Sequence, residues 1–110
     1  MNNVEKKVYL SKLLSVYGEL LTSYQKEVFS LYNDEDVSLT EIAFKMGVSK
    51  QSVNELIVKV EDKLFDYESK LHIISDCDYL QKELYSLKDC LSDTDKANQI
   101  INEMLERLED

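Results

Sequence analysis

The sequence has no proline and no tryptophan, and only two of its 110 residues are glycine. Tight turns between strands depend on glycine and proline, because these residues readily adopt the backbone angles that such turns require. A multi-stranded sheet is therefore disfavoured, and an all-α protein is expected. The length suits one small domain with an extension rather than two independent cores.

Residues that could perform catalysis or bind a metal are scarce. His72 is the only histidine, so any relay with a serine or a cysteine would depend on it. Cys77 and Cys90 are 13 positions apart, which on one continuous helix is about 20 Å and too far for a disulfide. One imidazole and two thiols are also a poor basis for a zinc site. We therefore expect reduced cysteines, no enzyme activity, no catalytic residue, no metal and no cofactor.

Long apolar runs are missing too. No segment approaches the roughly 20 apolar residues that cross a membrane. The charged start at Glu5, Lys6 and Lys7 leads into an amphipathic segment rather than a signal peptide. We expect a cytoplasmic protein without a membrane partner.

The net charge of −9 is concentrated towards the end of the chain. Residues 38–64 contain four lysines and four carboxylates, whereas residues 65–110 contain five basic and twelve acidic side chains. The total charge argues against a protein that simply coats a polyanion. It is a poor guide to what the neutral middle segment contacts.

The apolar periodicity predicts six helices. Thr22 and Ser38 each begin a capping-box pattern, and Ser49 can cap the helix that follows. The predicted apolar stripes contain Leu10, Leu13, Leu14, Tyr17 and Leu21 in the first helix, Tyr24, Val28, Leu31 and Tyr32 in the second, and Leu39, Ile42, Ala43 and Met46 in the third.

The fourth predicted helix is long, and its apolar residues alternate in steps of four and three. This seam can pack inside the domain or form a dimer interface, and the sequence leaves both open. Its residues are Val53, Ile57, Val60, Leu64, Tyr67 and Leu71.

The last two predicted helices form an acidic hairpin over residues 75–110, which we expect to pack on a domain over residues 1–74. Homodimerisation through the seam, the terminal helices or both is a further prediction. The apolar residues of the hairpin are Leu80, Leu84, Leu87 and Leu91 in the fifth helix, and Ala97, Ile100, Ile101, Met104 and Leu108 in the sixth.

Residues 38–64 meet the steric requirements of a helix–turn–helix unit. Ala43 is small where the two helices would cross, and Gly47 provides the turn between them. A helical hairpin with no nucleic-acid role has the same pattern and stays open as an alternative. The side chains expected inside the unit are Ile42, Met46, Val48, Val53 and Leu56.

In such a unit the amino end of the second helix enters the major groove of DNA. Gln51 and Asn54 could each bond an adenine edge, and Lys50 could contact guanine or a phosphate. Glu55 could accept from cytosine but repels phosphate, and a valine contacts only a thymine methyl group. Because few cations are nearby, one copy is expected to bind duplex DNA weakly. The candidate DNA-binding residues are Ser49, Lys50, Gln51, Asn54, Glu55 and Val58.

Several segments resemble the small YlxM-type helix–turn–helix proteins of Firmicutes and mycoplasmas. They are Leu21-Thr22 with Gln25, the acidic link from Tyr32 to Asp36, Val37 to Ala43, Gly47 to Val53, and Tyr67-Glu68 with Lys70-Leu71. The resemblance covers residues 5–74. The same core is similar to region 4 of bacterial sigma factors, a three-helical core like that of winged-helix proteins but without the wing. The resemblance implies a regulatory role in the signal recognition particle pathway.

The second helix of the unit departs from the family pattern. Lys50 stands where arginine is usual and lacks its bidentate fork, and Val58 stands where lysine is frequent. We expect a regulatory helix–turn–helix protein that binds DNA and is associated with the signal recognition particle. The alternative is a protein adaptor that uses the acidic terminal helices, and an RNA of the targeting particle is a third candidate ligand.

Overall fold

A computed structural model describes residues 1–109, which form six α-helices and one short 3-10 turn, with no strand in that range. The all-α prediction and the number of helices are confirmed. The helices are α1 (Asn3–Tyr17), α2 (Ser23–Asn33), α3 (Leu39–Met46), α4 (Lys50–Leu71), α5 (Ile73–Asp89) and α6 (Thr94–Glu109), and the 3-10 turn, Gly18–Leu20, follows α1.

The chain divides into two compact units, of which the first is Met1–His72 and the second begins at Ile73. Helix α4 ends at Leu71 and is capped by His72, whose backbone is left-handed (φ 56°) and whose N–H donates to the Glu68 carbonyl. The predicted domain boundary lies two residues further along, after residue 74. Packing of the hairpin on the first unit stays a prediction.

Side-chain caps set the beginnings of the helices of the first unit. The Thr22 hydroxyl accepts from the Gln25 N–H, and the Gln25 side chain accepts from the Thr22 N–H, both at 3.1 Å. These two bonds form the predicted capping box. Ser38 caps α3 by accepting from the Glu41 N–H at 3.1 Å. These hydrogen bonds are local in sequence, which is why the cap positions could be predicted.

The core of the first unit lies where α4 packs against α1, α2 and α3. Val53, Ile57, Val60 and Leu64 of the predicted seam are all at most 4 % exposed. The seam therefore packs inside its own domain, which leaves the terminal helices as the remaining predicted dimer interface. The other buried apolar residues of this unit are Leu10, Leu13, Leu14, Tyr17, Leu21, Val28, Phe29, Leu31, Ile42 and Ala43.

Outside the helix–turn–helix unit, three predicted core positions of the first unit are wrong. Tyr24 and Tyr32 are exposed at the edges of the buried face of α2, which is centred on Val28 and Phe29. Leu71 is exposed at the last residue of α4, where the helix passes beyond the core.

A buried polar contact joins α1 to the far end of α4. The Tyr17 hydroxyl donates to the Glu68 carboxylate at 2.5 Å, although the two residues are 51 positions apart. Both side chains are buried. A buried carboxylate requires such a donor, because transfer of an unpaired charge out of water is very costly. This contact therefore fixes the last turns of α4 against α1.

We expect Tyr17→Phe to lower the free energy of unfolding by about 2 kcal/mol, because the buried Glu68 carboxylate loses a hydrogen-bond donor. Tyr67→Phe is the matched control. The Tyr67 hydroxyl donates to the Leu20 carbonyl over 3.5 Å from a partly exposed position, so its loss should change stability by less than about 0.5 kcal/mol. Urea unfolding of both variants measures the difference, and equal losses would contradict the assigned role of Tyr17.

Candidate nucleic-acid interface

Helix α3 ends in a tight turn at Gly47, whose backbone is left-handed (φ 69°, ψ 34°). The Gly47 N–H donates to the Phe44 carbonyl at 3.3 Å, and the Val48 N–H donates to the Ala43 carbonyl at 3.0 Å. These two bonds form a Schellman motif, which commonly ends a helix at glycine. The turn is as predicted, and it allows α4 to begin only four residues after α3 ends.

The interior of the helix–turn–helix unit is filled mostly as predicted. Ile42, Ala43 and Val53 are buried, and Met46 and Leu56 are partly buried. The expectation for Val48 is wrong, because its side chain is exposed. Its backbone N–H takes part in the turn, and the side chain is not needed to fill the interior.

The six predicted DNA-binding residues lie on the exposed surface of the first turns of α4 and its cap. They are Ser49, Lys50, Gln51, Asn54, Glu55 and Val58. The Ser49 hydroxyl already accepts from the Ser52 N–H at 3.0 Å, so this residue acts as the cap of α4.

Two of the six residues interact with each other. The Gln51 side-chain amide donates to the Glu55 carboxylate at 3.2 Å. This pair is one turn apart on the helix, where side chains commonly meet. It directs the Gln51 amide towards Glu55 along the helix surface, and it places a carboxylate next to the group that would contact a base edge.

The exposed side of α4 continues as a shallow groove beyond its first turns. Val58 is 52 % exposed in this groove and provides an apolar contact between the charged side chains. Two lysines and three carboxylates line it, so it does not form a continuous positive strip. The lining residues are Asn54, Glu55, Val58, Lys59, Asp62, Lys63 and Asp66.

Ion pairs neutralise some of the carboxylates of α4. Glu61 accepts from Lys6 of α1 at 2.6 Å, and this hydrogen bond and the charge of Glu61 raise the pKa of Lys6. Asp66 pairs with Lys70 at 3.0 Å within the helix. Because Glu61 is paired with Lys6 of α1, it contributes little negative charge to the outer side of α4. The lysines and the other carboxylates of that side still balance closely, so it is close to neutral.

Sequence reasoning missed one prominent surface residue, Phe44 of α3, which is 91 % exposed. Its neighbours Ile42 and Ala43 are buried, so Phe44 is on the outward side of a helix whose inward stripe was predicted correctly. Because the inward stripe defines the outward side of α3, its position could have shown that Phe44 is exposed. A large exposed aromatic ring beside the turn adds an apolar contact to the helix–turn–helix surface.

Two further features, a metal-binding cluster and a membrane-spanning helix, were considered for residues 1–109. No group of three or more histidine, cysteine, aspartate or glutamate side chains there could hold a metal ion. No helix in this range is both long enough and apolar enough to cross a membrane.

The packing of α3 on α4, the glycine turn and the exposed amino end of α4 define a helix–turn–helix protein. The sequence model of the UPF0122 family, described as "Putative helix-turn-helix protein, YlxM / p13 like", matches residues 4–106. The chain belongs to this family. The match extends through the hairpin, so the resemblance covers more of the chain than residues 5–74.

Relatives from three genera are similar over much or nearly all of this chain. A UPF0122 protein of Clostridium acetobutylicum is 37 % identical over 108 residues, which cover 92 % of each chain. One of Bacillus mycoides is 34 % identical over 106 residues, or 96 % of each chain. One of Mycoplasma capricolum is 49 % identical over 72 residues, which are 66 % of this chain and 64 % of that protein.

We expect Gly47→Ala to lower the free energy of unfolding by about 1–2 kcal/mol, because a Cβ atom is strained in the left-handed region. Gly18→Ala is the matched control. Gly18 has right-handed backbone angles (φ −57°), and a Cβ there would lie 3.1 Å from the flexible end of Lys26 and in ordinary contact with Leu14 Cδ1 at 3.6 Å. Thermal unfolding measures both, and a Gly47→Ala variant as stable as the control would contradict the role of this turn.

Proposed function

We propose that this chain is a non-enzymatic regulatory protein of the cytoplasm that binds duplex DNA through the amino end of α4. The observation that carries the proposal is the exposure of the first turns of α4 beyond a glycine-ended helix. This geometry presents Lys50, Gln51 and Asn54 outwards, with groups that can bond guanine or adenine edges. The family membership supports the same class of function.

The charge of the surface limits the affinity that this mode of binding can reach. Non-specific attraction to DNA comes mainly from cations that neutralise phosphates. The exposed side of α4 combines lysines with carboxylates, and Glu55 lies within the predicted contact surface. One copy therefore supplies base-reading groups but little phosphate attraction. Useful affinity then requires two linked copies or a partner with its own positive charge.

We expect Lys50→Ala to weaken binding to duplex DNA from the protein's own operon by about 1 kcal/mol, which is roughly fivefold. It should also reduce the slope of log K against log salt by about one if the lysine contacts a phosphate. Fluorescence anisotropy over a salt series measures both quantities. Lys88→Ala is the matched control, because it removes the same charge from α5, and it should leave binding unchanged.

Gln51→Ala tests base reading separately from charge. We expect it to reduce discrimination between the operon duplex and a scrambled duplex by roughly fivefold, or about 1 kcal/mol. Gln99→Ala is its control, since Gln99 of α6 makes the same one-turn contact, donating to Glu103 at 3.4 Å. If neither Lys50→Ala nor Gln51→Ala alters binding or discrimination, α4 does not contact DNA as proposed.

A second candidate function is a protein adaptor in the signal recognition particle pathway. The distribution of charge favours it, because residues 73–109 contain nine carboxylates and four basic side chains. Glu103 and Glu106 are exposed on α6, and helical spacing puts both on the side away from Met104, which faces the interior of the hairpin. An acidic surface of this kind attracts a basic partner and accelerates its association.

The adaptor is tested with the purified GTPase of the signal recognition particle and its RNA. We expect Glu103→Gln combined with Glu106→Gln to weaken binding to this GTPase by about threefold, because each substitution removes a charge that attracts a basic partner. Glu27→Gln combined with Glu35→Gln is the control, since it makes equal changes at exposed positions in the first unit. Surface plasmon resonance measures the affinities, and equal effects of the two pairs would contradict an acidic docking surface on α6.

A further inference from the structure

The contact between Gln51 and Glu55 lies on the exposed side of α4. Val53 and Ile57, each two positions further along, are buried. Because two positions correspond to about 200° around a helix, the side chains of Gln51 and Glu55 point away from the core. The Gln51 nitrogen Nε2 donates to a Glu55 carboxylate oxygen at 3.2 Å on this outward side. The pair is therefore part of the surface that would enter a DNA groove.

The chemistry of the Glu55 carboxylate fixes which end of the Gln51 amide faces it. An ionised carboxylate has no hydrogen to donate, so it bonds the nitrogen of the amide and not the oxygen. A glutamine amide without such a neighbour can turn over and exchange the positions of its donor and its acceptor. Glu55 therefore sets the polarity of the Gln51 amide as well as its direction.

The rest of the Gln51 amide stays available for a base. Within residues 1–109, the contact with Glu55 is the only side-chain hydrogen bond of Gln51. The amide nitrogen has two hydrogens, of which one lies beside the oxygen and the other points away from it. When the second of these donates to Glu55, the first hydrogen and the oxygen Oε1 form a donor and an acceptor side by side.

A donor beside an acceptor matches adenine and not guanine. In the major groove adenine presents the N7 acceptor beside the N6 amino donor, whereas guanine presents two acceptors, N7 and O6. A glutamine with both amide hydrogens free can donate to the two acceptors of guanine. The bond to Glu55 removes one of these hydrogens, and the Glu55 carboxylate adds a negative charge near the guanine acceptors, which disfavours the wrong base.

We propose that Glu55 is a positioning residue that makes Gln51 selective for adenine over guanine. This inference rests on the DNA binding proposed above. Glu55 forms no ion pair within residues 1–109, so its charge repels phosphates and lowers the affinity for any duplex. In return, the orientation of Gln51 raises selectivity. This exchange gives an acidic residue a role in a surface that reads bases.

Adenine selectivity is measured with the operon duplex and a second duplex in which 7-deazaadenine replaces every adenine. This analogue lacks N7 but keeps the amino group, the base pair and the thymine methyl group. In fluorescence anisotropy we expect the wild-type chain to bind the substituted duplex about tenfold more weakly, because Gln51 and Asn54 each lose a bond. Glu55→Ala should reduce this ratio to about two- to threefold, because the Gln51 amide loses its fixed polarity.

Further variants separate the hydrogen bond from the charge. Glu55→Gln keeps an oxygen that accepts from Gln51 but removes the charge, so it should retain the ratio and bind both duplexes about twofold more tightly. In the Gln51→Ala background, Glu55→Ala should not lower the ratio further, because Glu55 acts through Gln51. Glu27→Ala is the control, since it removes an exposed carboxylate from α2, and it should leave the ratio unchanged.

The contact itself is tested without DNA. In NMR spectra of the free full chain, Glu55→Ala should shift the side-chain amide signals of Gln51, because one of its hydrogens loses a charged acceptor. The signals of Gln99, which donates to Glu103 of α6 at 3.4 Å, are the internal control and should not move. Gln51 and Glu55 are both exposed, so the variants should stay folded, and circular dichroism checks this.

A wild-type ratio near one, or an unchanged ratio in Glu55→Ala, would overturn the inference. So would equal losses in Glu55→Gln and Glu55→Ala, or Gln51 signals that do not move. In each of these cases the wild-type chain still binds the operon duplex, and the proposed DNA binding stands. A wild-type chain that binds neither duplex would overturn both, so the two failures are distinguishable.

Discussion

The left-handed turn at Gly47 is the constraint on which the candidate interface depends. Two hydrogen bonds end α3 at this residue, and the chain turns at once into the cap of α4. The small Ala43 side chain and the buried Ile42 allow α3 to pack closely on α4. A residue that could not adopt positive φ would displace the start of α4. The position of every proposed base-contacting side chain therefore depends on one backbone conformation.

The rest of α4 fixes the position of its amino end in the first unit. Four residues of its seam, from Val53 to Leu64, are buried against three helices, and the contact between Tyr17 and Glu68 fixes its far end. The helix is thus fixed along one side while its amino end is exposed. The exposed amino end of α4 has a geometry suited to the major groove of DNA. The near-neutral charge around it, however, gives little attraction to phosphates. Because of this contrast, useful affinity for DNA requires two linked copies or a partner with its own positive charge, since two weak contacts that are joined can reach an affinity that one cannot.

Local features of the fold could be predicted from the sequence, whereas contacts between distant segments could not. The caps at Thr22, Ser38 and Ser49 and the turn at Gly47 each depend on residues only a few positions apart. The exposure of the six candidate residues followed from the same reasoning, since a predicted inward stripe defines the outward side.

What the sequence did not show has a physical cause. The burial of Glu68 depends on Tyr17, 51 positions away, and the pairing of Glu61 depends on Lys6 of another helix. Periodicity alone treats a charged residue as exposed, so it cannot show that a tyrosine makes a buried carboxylate acceptable. The prediction that Tyr24 and Tyr32 are buried was wrong for the opposite reason. An aromatic ring at the edge of a helix face fits the apolar periodicity without being buried.

DNA binding by the amino end of α4 is tested most directly by an NMR titration of the isotope-labelled full chain with duplex DNA from its own operon, followed through the backbone amide signals. We expect the largest shift changes at the amino end of α4, from Ser49 to Lys59, with smaller changes around Gly47. Changes concentrated on α5 and α6, or no change at DNA concentrations that saturate other helix–turn–helix proteins, would contradict it.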